Sequence, residues 1–257
     1  MAIFTANVAI NVNSLVGGAE LATPLSWTFS NESTGGFTGS DNGFSFVISG
    51  SLGDFTYTSS IPTGGTAQQL VVEQGSATLW SLSGFSVNVL QAALNPSLLT
   101  PAVVLAGNDK ITGSPFADFL DGFAGNDKIN GGRGNDSIDG GGGKDVLRGG
   151  PGADLFLFDS ALNPHINVDK IMDFRPGQHD KIGLSEAIFA GLGSFGKLKG
   201  AHFANEHATN AKPEIVYTHE HGFLYYAPHG DHGKLIHFAT LATDPATMHA
   251  SDFVVLA

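Results

Sequence analysis

Aspartate recurs at every ninth residue through the middle of this chain, at Asp109, Asp118, Asp127, Asp136, Asp145 and Asp154. Two places after each stands an apolar side chain: Ile111, Leu120, Ile129, Ile138, Leu147 and Phe156. With Asp in the sixth place, residues 104–157 divide without insertion into VLAGNDKIT, GSPFADFLD, GFAGNDKIN, GGRGNDSID, GGGGKDVLR and GGPGADLFL. A row of carboxylates at fixed spacing repels itself unless a cation sits between its members. Glycine turns nearby let backbone carbonyls point inward and complete an all-oxygen shell. Such a multidentate, flexible oxygen site suits Ca2+, whereas Mg2+ demands stricter geometry and keeps its water.

The elements that must position these carboxylates follow from the period. A glycine-rich hexamer followed by a three-residue segment centred on an apolar side chain reads as a loop and a short strand, two of which complete one turn of a solenoid. The apolar eighth residue then faces inward, and successive loops alternate between two edges. Loop n lies over loop n+2, about 4.8 Å away. Asp109, Asp127 and Asp145 therefore stack on one edge, and Asp118, Asp136 and Asp154 on the other. Their neighbouring pairs predict about four inter-loop Ca2+ sites, with the first two copies departing from the glycine pattern. A flexible Gly-Asp linker would need no apolar residue at every ninth position.

These copies resemble GGxGxDxUx, the nonapeptide of RTX or hemolysin-type calcium-binding proteins. The resemblance implies a parallel β-roll, ligated by the sixth-place aspartates of stacked loops together with backbone oxygens. Carried onto this chain, the backbone set includes Gly107, Gly122, Ala124, Gly125, Gly131, Gly132, Gly134, Gly140, Gly142 and Gly149. Beyond the repeats, VDKIMDFRPGQHDKIGLS is similar to the D-x-I-x-D-F…D-K-I-x-L-S stretch that follows the roll in serralysin-type proteases and related secreted proteins. That similarity implies a capping Ca2+ on Asp169 and Asp173. The C-terminal SDFVVLA resembles the acidic-then-apolar ending of type I secretion substrates. It implies export by the type I machinery of a Gram-negative bacterium to the extracellular space or cell surface.

The flanks divide the chain into residues 1–100, 101–157 and 158–257. The first region has no Lys or Arg and five acids (Glu20, Glu32, Asp41, Asp54 and Glu73). Its runs FSFVIS (44–49), FTYT (55–58), QLVV (69–72) and ATLWSL (77–82), set between Gly, Ser, Thr and Asn, read as short strands. Residues 87–99 have the apolar spacing of one short helix, stopped by Pro96. In the last region FLF (156–158), VDKIMDF (168–174), DKIGL (180–184), EIVYT (214–218), GFLYYA (222–227) and KLIHFA (234–239) read as strands, the last three as a meander. The fold class is all-β: a parallel β-roll flanked by β-rich regions.

Composition narrows the partners. A net charge of -12 disfavours nucleic acid and anionic membranes. The chain has no Cys, hence no disulfide and no thiol chemistry. No apolar run is long enough for a transmembrane helix, and MAIFTANVAINVNSL lacks the basic residues of a cleaved signal.

Enzyme motifs are missing as well. His219-Glu220 is followed at once by His221, which is no HExxH, and GLGSFG (191–196) misplaces a glycine of the nucleophile elbow. Residues 1–100 contain no His, Lys or Arg to act as base or oxyanion partner. A non-enzymatic surface, matrix or polysaccharide-interacting protein is the expectation, with a detached module or small enzyme acting on exopolysaccharide as the alternative. All ten His lie after residue 164. Among them His219, His221, His229, His232 and His237 flank one hairpin and offer a second alternative, a transition-metal site.

Overall fold

A computed structural model describes residues 3–6, 28–33, 36–41, 44–49, 56–58, 61–64, 66–74, 77–88, 105–230 and 233–257. Among these residues there is no α-helix.

The repeats supply six short strands: β9 (Lys110–Thr112), β10 (Phe119–Asp121), β11 (Lys128–Asn130), β12 (Ser137–Asp139), β13 (Val146–Arg148) and β14 (Leu155–Phe158). Odd and even strands pair in parallel within separate sheets, β9 with β11 with β13 and β10 with β12 with β14. A nine-residue unit is too short to bring the chain back beside its own strand, so each strand pairs with the one two units away.

The parallel stacking runs past residue 157. β15 (Asp169–Ile171) lies on β13 and β16 (Lys181–Ser185) on β14. β21 (Ile236–Leu241) follows on β15, and β22 (Phe253–Leu256) on β16. Residues 158–257 thus extend the same two sheets by two coils. The register lines up two interior columns, Ile111, Ile129, Leu147, Ile171 and Leu241 in one sheet and Leu120, Ile138, Phe156, Ile182 and Phe253 in the other. Each of these side chains is at most 2% exposed. Burying one contributes about 1.5–3 kcal/mol, which makes the columns the main metal-independent cohesion between coils.

The far end is closed by the predicted meander. β19 (Glu214–Thr218), β20 (Phe223–Ala227) and β21 pair antiparallel, and β18 (Phe203–Asn205) adds to β19 in parallel. Phe158, Phe189, Tyr226 and Phe238 meet edge to face there, at centroid separations of 5.0–5.3 Å. A two-residue strand, β17 (Gly196–Lys197), pairs antiparallel with β22 and covers the edge of that sheet.

At the other end β1 (Ile3–Ala6) lies parallel to β9 and antiparallel to β8 (Ala77–Asn88). β7 (Thr66–Gln74), β4 (Phe44–Ser49), β3 (Gly36–Asp41) and β2 (Thr28–Ser33) continue outward as antiparallel neighbours, with a separate pair of β5 (Thr56–Thr58) and β6 (Ile61–Gly64). The strands predicted in the first region coincide with β4, β5, β7 and β8. The predicted helix over 87–99 does not begin as one, because Val87 and Asn88 end strand β8. Its other residues lie outside the described ones.

Candidate metal centre

Each nonapeptide carries its aspartate from solvent-facing loop into the wall of the roll, because the apolar residue two places later is anchored in the core. All six repeat aspartates are buried. The backbone N–H of each donates to Oδ1 of the aspartate one coil on: Asp109 to Asp127 at 2.6 Å, Asp118 to Asp136 at 2.9 Å, Asp127 to Asp145 at 2.7 Å and Asp136 to Asp154 at 3.0 Å. The two edges are therefore carboxylate ladders, as the period predicts.

The second carboxylate oxygen behaves differently. Oδ2 of Asp127, Asp136, Asp145 and Asp154 is buried without a hydrogen-bond partner. A buried, unsatisfied carboxylate oxygen is among the costliest groups a fold can carry. Each faces the glycine that opens its own loop. A β-carbon at Gly122 would lie 2.6 Å from Asp127 Oδ2 and 2.7 Å from the carbonyl oxygen of Gly140, one coil on. The carbonyl of Gly149 and Asp136 Oδ2 converge in the same way on Gly131. Absence of a side chain at the first place thus leaves a small space ringed by a carboxylate oxygen and a carbonyl oxygen. Among the described residues no three His, Asp or Glu side chains converge tightly enough to hold an ion by themselves. A cation held here needs the backbone oxygens, and an all-oxygen donor set of that kind fits Ca2+.

Burial dominates the electrostatics. It pushes the carboxyls of Asp127 and Asp136 up to about 7, against the lowering effect of the N–H each accepts, with the next aspartates in the ladder pushing further. Burial likewise raises Asp145 and Asp154 to about 6. A divalent cation reverses this preference, since it stabilises the ionised form directly.

Seven of the ten backbone positions fall into two groups. Carbonyls of Gly131, Gly140 and Gly149 face the carboxylates of the preceding coil, and those of Gly107, Gly125, Gly132 and Gly134 face the glycines Gly125, Gly143, Gly150 and Gly152 of the next. Gly142 carbonyl accepts the N–H of Gly125 at 2.9 Å, and Ala124 lies opposite Gly142 in a parallel bridge. Gly122 contributes the space before Asp127. Gly143 shows why the fourth place is glycine: its φ is +146°, and a β-carbon there would run into the carbonyl of Gly125.

Asp169 and Asp173 are not brought together. Asp169 Oδ1 accepts the N–H of Asp145 at 3.0 Å and so adds a rung to the first ladder, where burial drives its carboxyl up to about 9. Asp173 sits on the other edge, accepting the N–H groups of Gly149 and Gly150 at 3.0 and 3.1 Å. Arg148 lies 3.5 Å from it. A single capping ion shared by this pair is therefore corrected: strand β15 runs between them and carries the chain from one edge to the other.

The rung above Asp154 is Asp180, which the nine-residue register misses. Its Oδ1 accepts the N–H of Asp154 at 3.1 Å, and it is buried. The spacing from Asp154 is 26 residues instead of 18. A signal did exist, for the tripeptide Asp-Lys-Ile occurs at 109, 127, 169 and 180.

The histidines do not gather among the described residues. His219 bonds Asp244 at 3.1 Å, His221 stacks on Phe223, and His237 contacts the carbonyl of Ala239 at 2.9 Å. His229 is exposed, and His232 lies outside the described residues.

Residues 105–138 and 121–156 match the model of the RTX calcium-binding nonapeptide repeat (4 copies). The chain thus carries RTX calcium-binding repeats, folded as a parallel β-roll. No curated protein matches the chain. Among solved structures it is similar to the AlgE6R3 subunit from the Azotobacter vinelandii mannuronan C5-epimerase, at 28% identity over 58% of this chain and 78% of that one, with a TM-score of 0.38. It is also similar to the AlgE6R2 subunit of the same kind of enzyme, at 25% identity over 57% and 92%, with a TM-score of 0.35.

Proposed function

We propose that this chain is a secreted, non-enzymatic protein whose folding is switched on by extracellular Ca2+. One observation carries the reading: a row of buried carboxylate oxygens without partners, of which those of Asp127 and Asp136 each lie beside a carbonyl oxygen of the next coil. In a compartment with little Ca2+ the ionised ladder repels itself, and the glycine-rich loops keep a large conformational entropy. Bound Ca2+ supplies the missing positive charge, so that binding energy becomes folding energy. Asp127, Asp136, Asp145 and Asp154 then hold adjacent loops together through Oδ1 and the cation through Oδ2.

This order of events suits export through a type I channel, which takes an unfolded chain. The C-terminal β22 supports it. In the folded protein Phe253 and Val255 are buried in the sheet beside β16, so a signal read from this segment is accessible only before folding. The Ser-, Thr- and Asn-rich first region is the contact surface we assign to an extracellular polysaccharide or cell surface.

Far-ultraviolet circular dichroism of the metal-free chain, titrated in parallel with Ca2+ and Mg2+, tests the switch. A cooperative gain of β signal with Ca2+ alone is expected. A metal-free chain that is already fully folded and unchanged by Ca2+ would sink the proposal.

A further inference from the structure

The loop of the second repeat, GSPFAD (113–118), keeps the space at its first place, where Gly113 faces Asp118 Oδ2 and the carbonyl of Gly131, but departs from the third to sixth repeats at its second and fourth places. Ser114 occupies the second place and Phe116 the fourth. In the third to sixth repeats both places have positive φ: Phe123, Gly132, Gly141 and Gly150 at the second, Gly125, Gly134, Gly143 and Gly152 at the fourth. Neither Ser114 nor Phe116 has positive φ, and Pro115 between them holds its own φ near −65°. The backbone of this loop therefore takes another path.

That path turns Ser114 onto the aspartate of its own loop. Its N–H donates to Asp118 Oδ2 at 2.6 Å and its hydroxyl to Asp118 Oδ1 at 3.0 Å. The same hydroxyl accepts the N–H of Phe116 at 3.1 Å. Ser114 is buried, 2% exposed. In the other loops the second-place N–H points elsewhere: Phe123 to Asp121, Gly141 to Asp139, Gly132 to the carbonyl of Gly149 and Gly150 to Asp173. Only the Asp118 carboxylate, among the described repeats, has both oxygens engaged by a residue of its own loop. Two donors aimed at a carboxylate put partial positive charge where a cation would have to sit.

We propose that the interval between Asp118 and Asp136 is closed by Ser114 instead of by Ca2+, so that the second edge of the roll begins with a metal-free rung. The proposal rests on the Ca2+ reading of the other intervals. The rung from the N–H of Asp118 to Asp136 Oδ1 then stands without a cation beside it, while the Ser114 clasp neutralises the Asp118 carboxylate within its own loop.

Native mass spectrometry of the full chain at saturating Ca2+ counts the ions. Asp118→Asn is expected to bind as many as the unsubstituted chain, and Asp127→Asn at least one fewer. An Asp118→Asn chain that keeps its β signal but loses one ion overturns the proposal while leaving the Ca2+ reading intact. A chain that binds no Ca2+ in any form overturns both. Should Asp118→Asn not fold, anomalous scattering from Ca2+-loaded crystals of the unsubstituted chain decides: no peak between Asp118 and Asp136 is expected, and a peak there refutes the clasp.

Discussion

Replacing Asp127 with Asn should move stability in opposite directions with and without Ca2+. In the metal-free fold, burial raises the Asp127 carboxyl from 3.8 to about 7. At pH 8 its ionisation then costs the fold roughly three pH units at about 1.4 kcal/mol each, or about 4 kcal/mol. An amide carries no charge. Its Oδ1 can still accept the N–H of Asp109, and its NH2 can donate to the carbonyl of Gly140, which flanks the Oδ2 position. Metal-free Asp127→Asn should therefore gain a few kcal/mol. With Ca2+ present the same change removes a charged oxygen shared by two intervals, and each site held at a hundred times its Kd contributes about 2.7 kcal/mol. Urea unfolding measures the loaded form. The trimethylamine N-oxide concentration needed to fold the metal-free chain measures the other, since that osmolyte favours burial. A substitution that destabilises both forms, or leaves the loaded form untouched, would refute the reasoning.

Three further outcomes follow from the same geometry. Metal-free protein should gain β structure on acidification: folded Asp127 and Asp136 hold protons up to about 7, and Asp145 and Asp154 up to about 6, against 3.8 unfolded. Stability is thus fullest below about pH 4 and lost as pH rises through 6–7, which circular dichroism in metal-stripped buffers will read. Gly143→Ala forces a β-carbon into the carbonyl of Gly125 at a φ of +146° and should cost more than about 2 kcal/mol, seen as a lower Tm at saturating Ca2+. Leu147→Ala opens a cavity midway along a fully buried column and should cost about 2–5 kcal/mol in Ca2+-loaded urea unfolding, with the number of bound ions unchanged.

The nine-residue period was enough to specify the roll, because one loop and one strand form a closed local unit. Once Ile111, Leu120 and their successors must face inward, the aspartates two places earlier have only one wall to occupy. Strand positions near the C-terminus were also legible, since β15, β16, β19, β20 and β21 are short apolar runs between turns. What the sequence leaves open begins where the period ends. The steps of 24 residues from Asp145 to Asp169 and 26 from Asp154 to Asp180 contain loops of unrelated length. Which carboxylate lands over which N–H is then decided by strand pairing, through Leu147 on Ile171 and Phe156 on Ile182. The same applies to Ser114. In sequence it is a deviation from glycine, and only the path through Pro115 turns it onto Asp118. Spacing determines which residues recur on one edge, while hydrogen-bond direction and burial, properties of the packed coils alone, determine which of their oxygens are left for a cation.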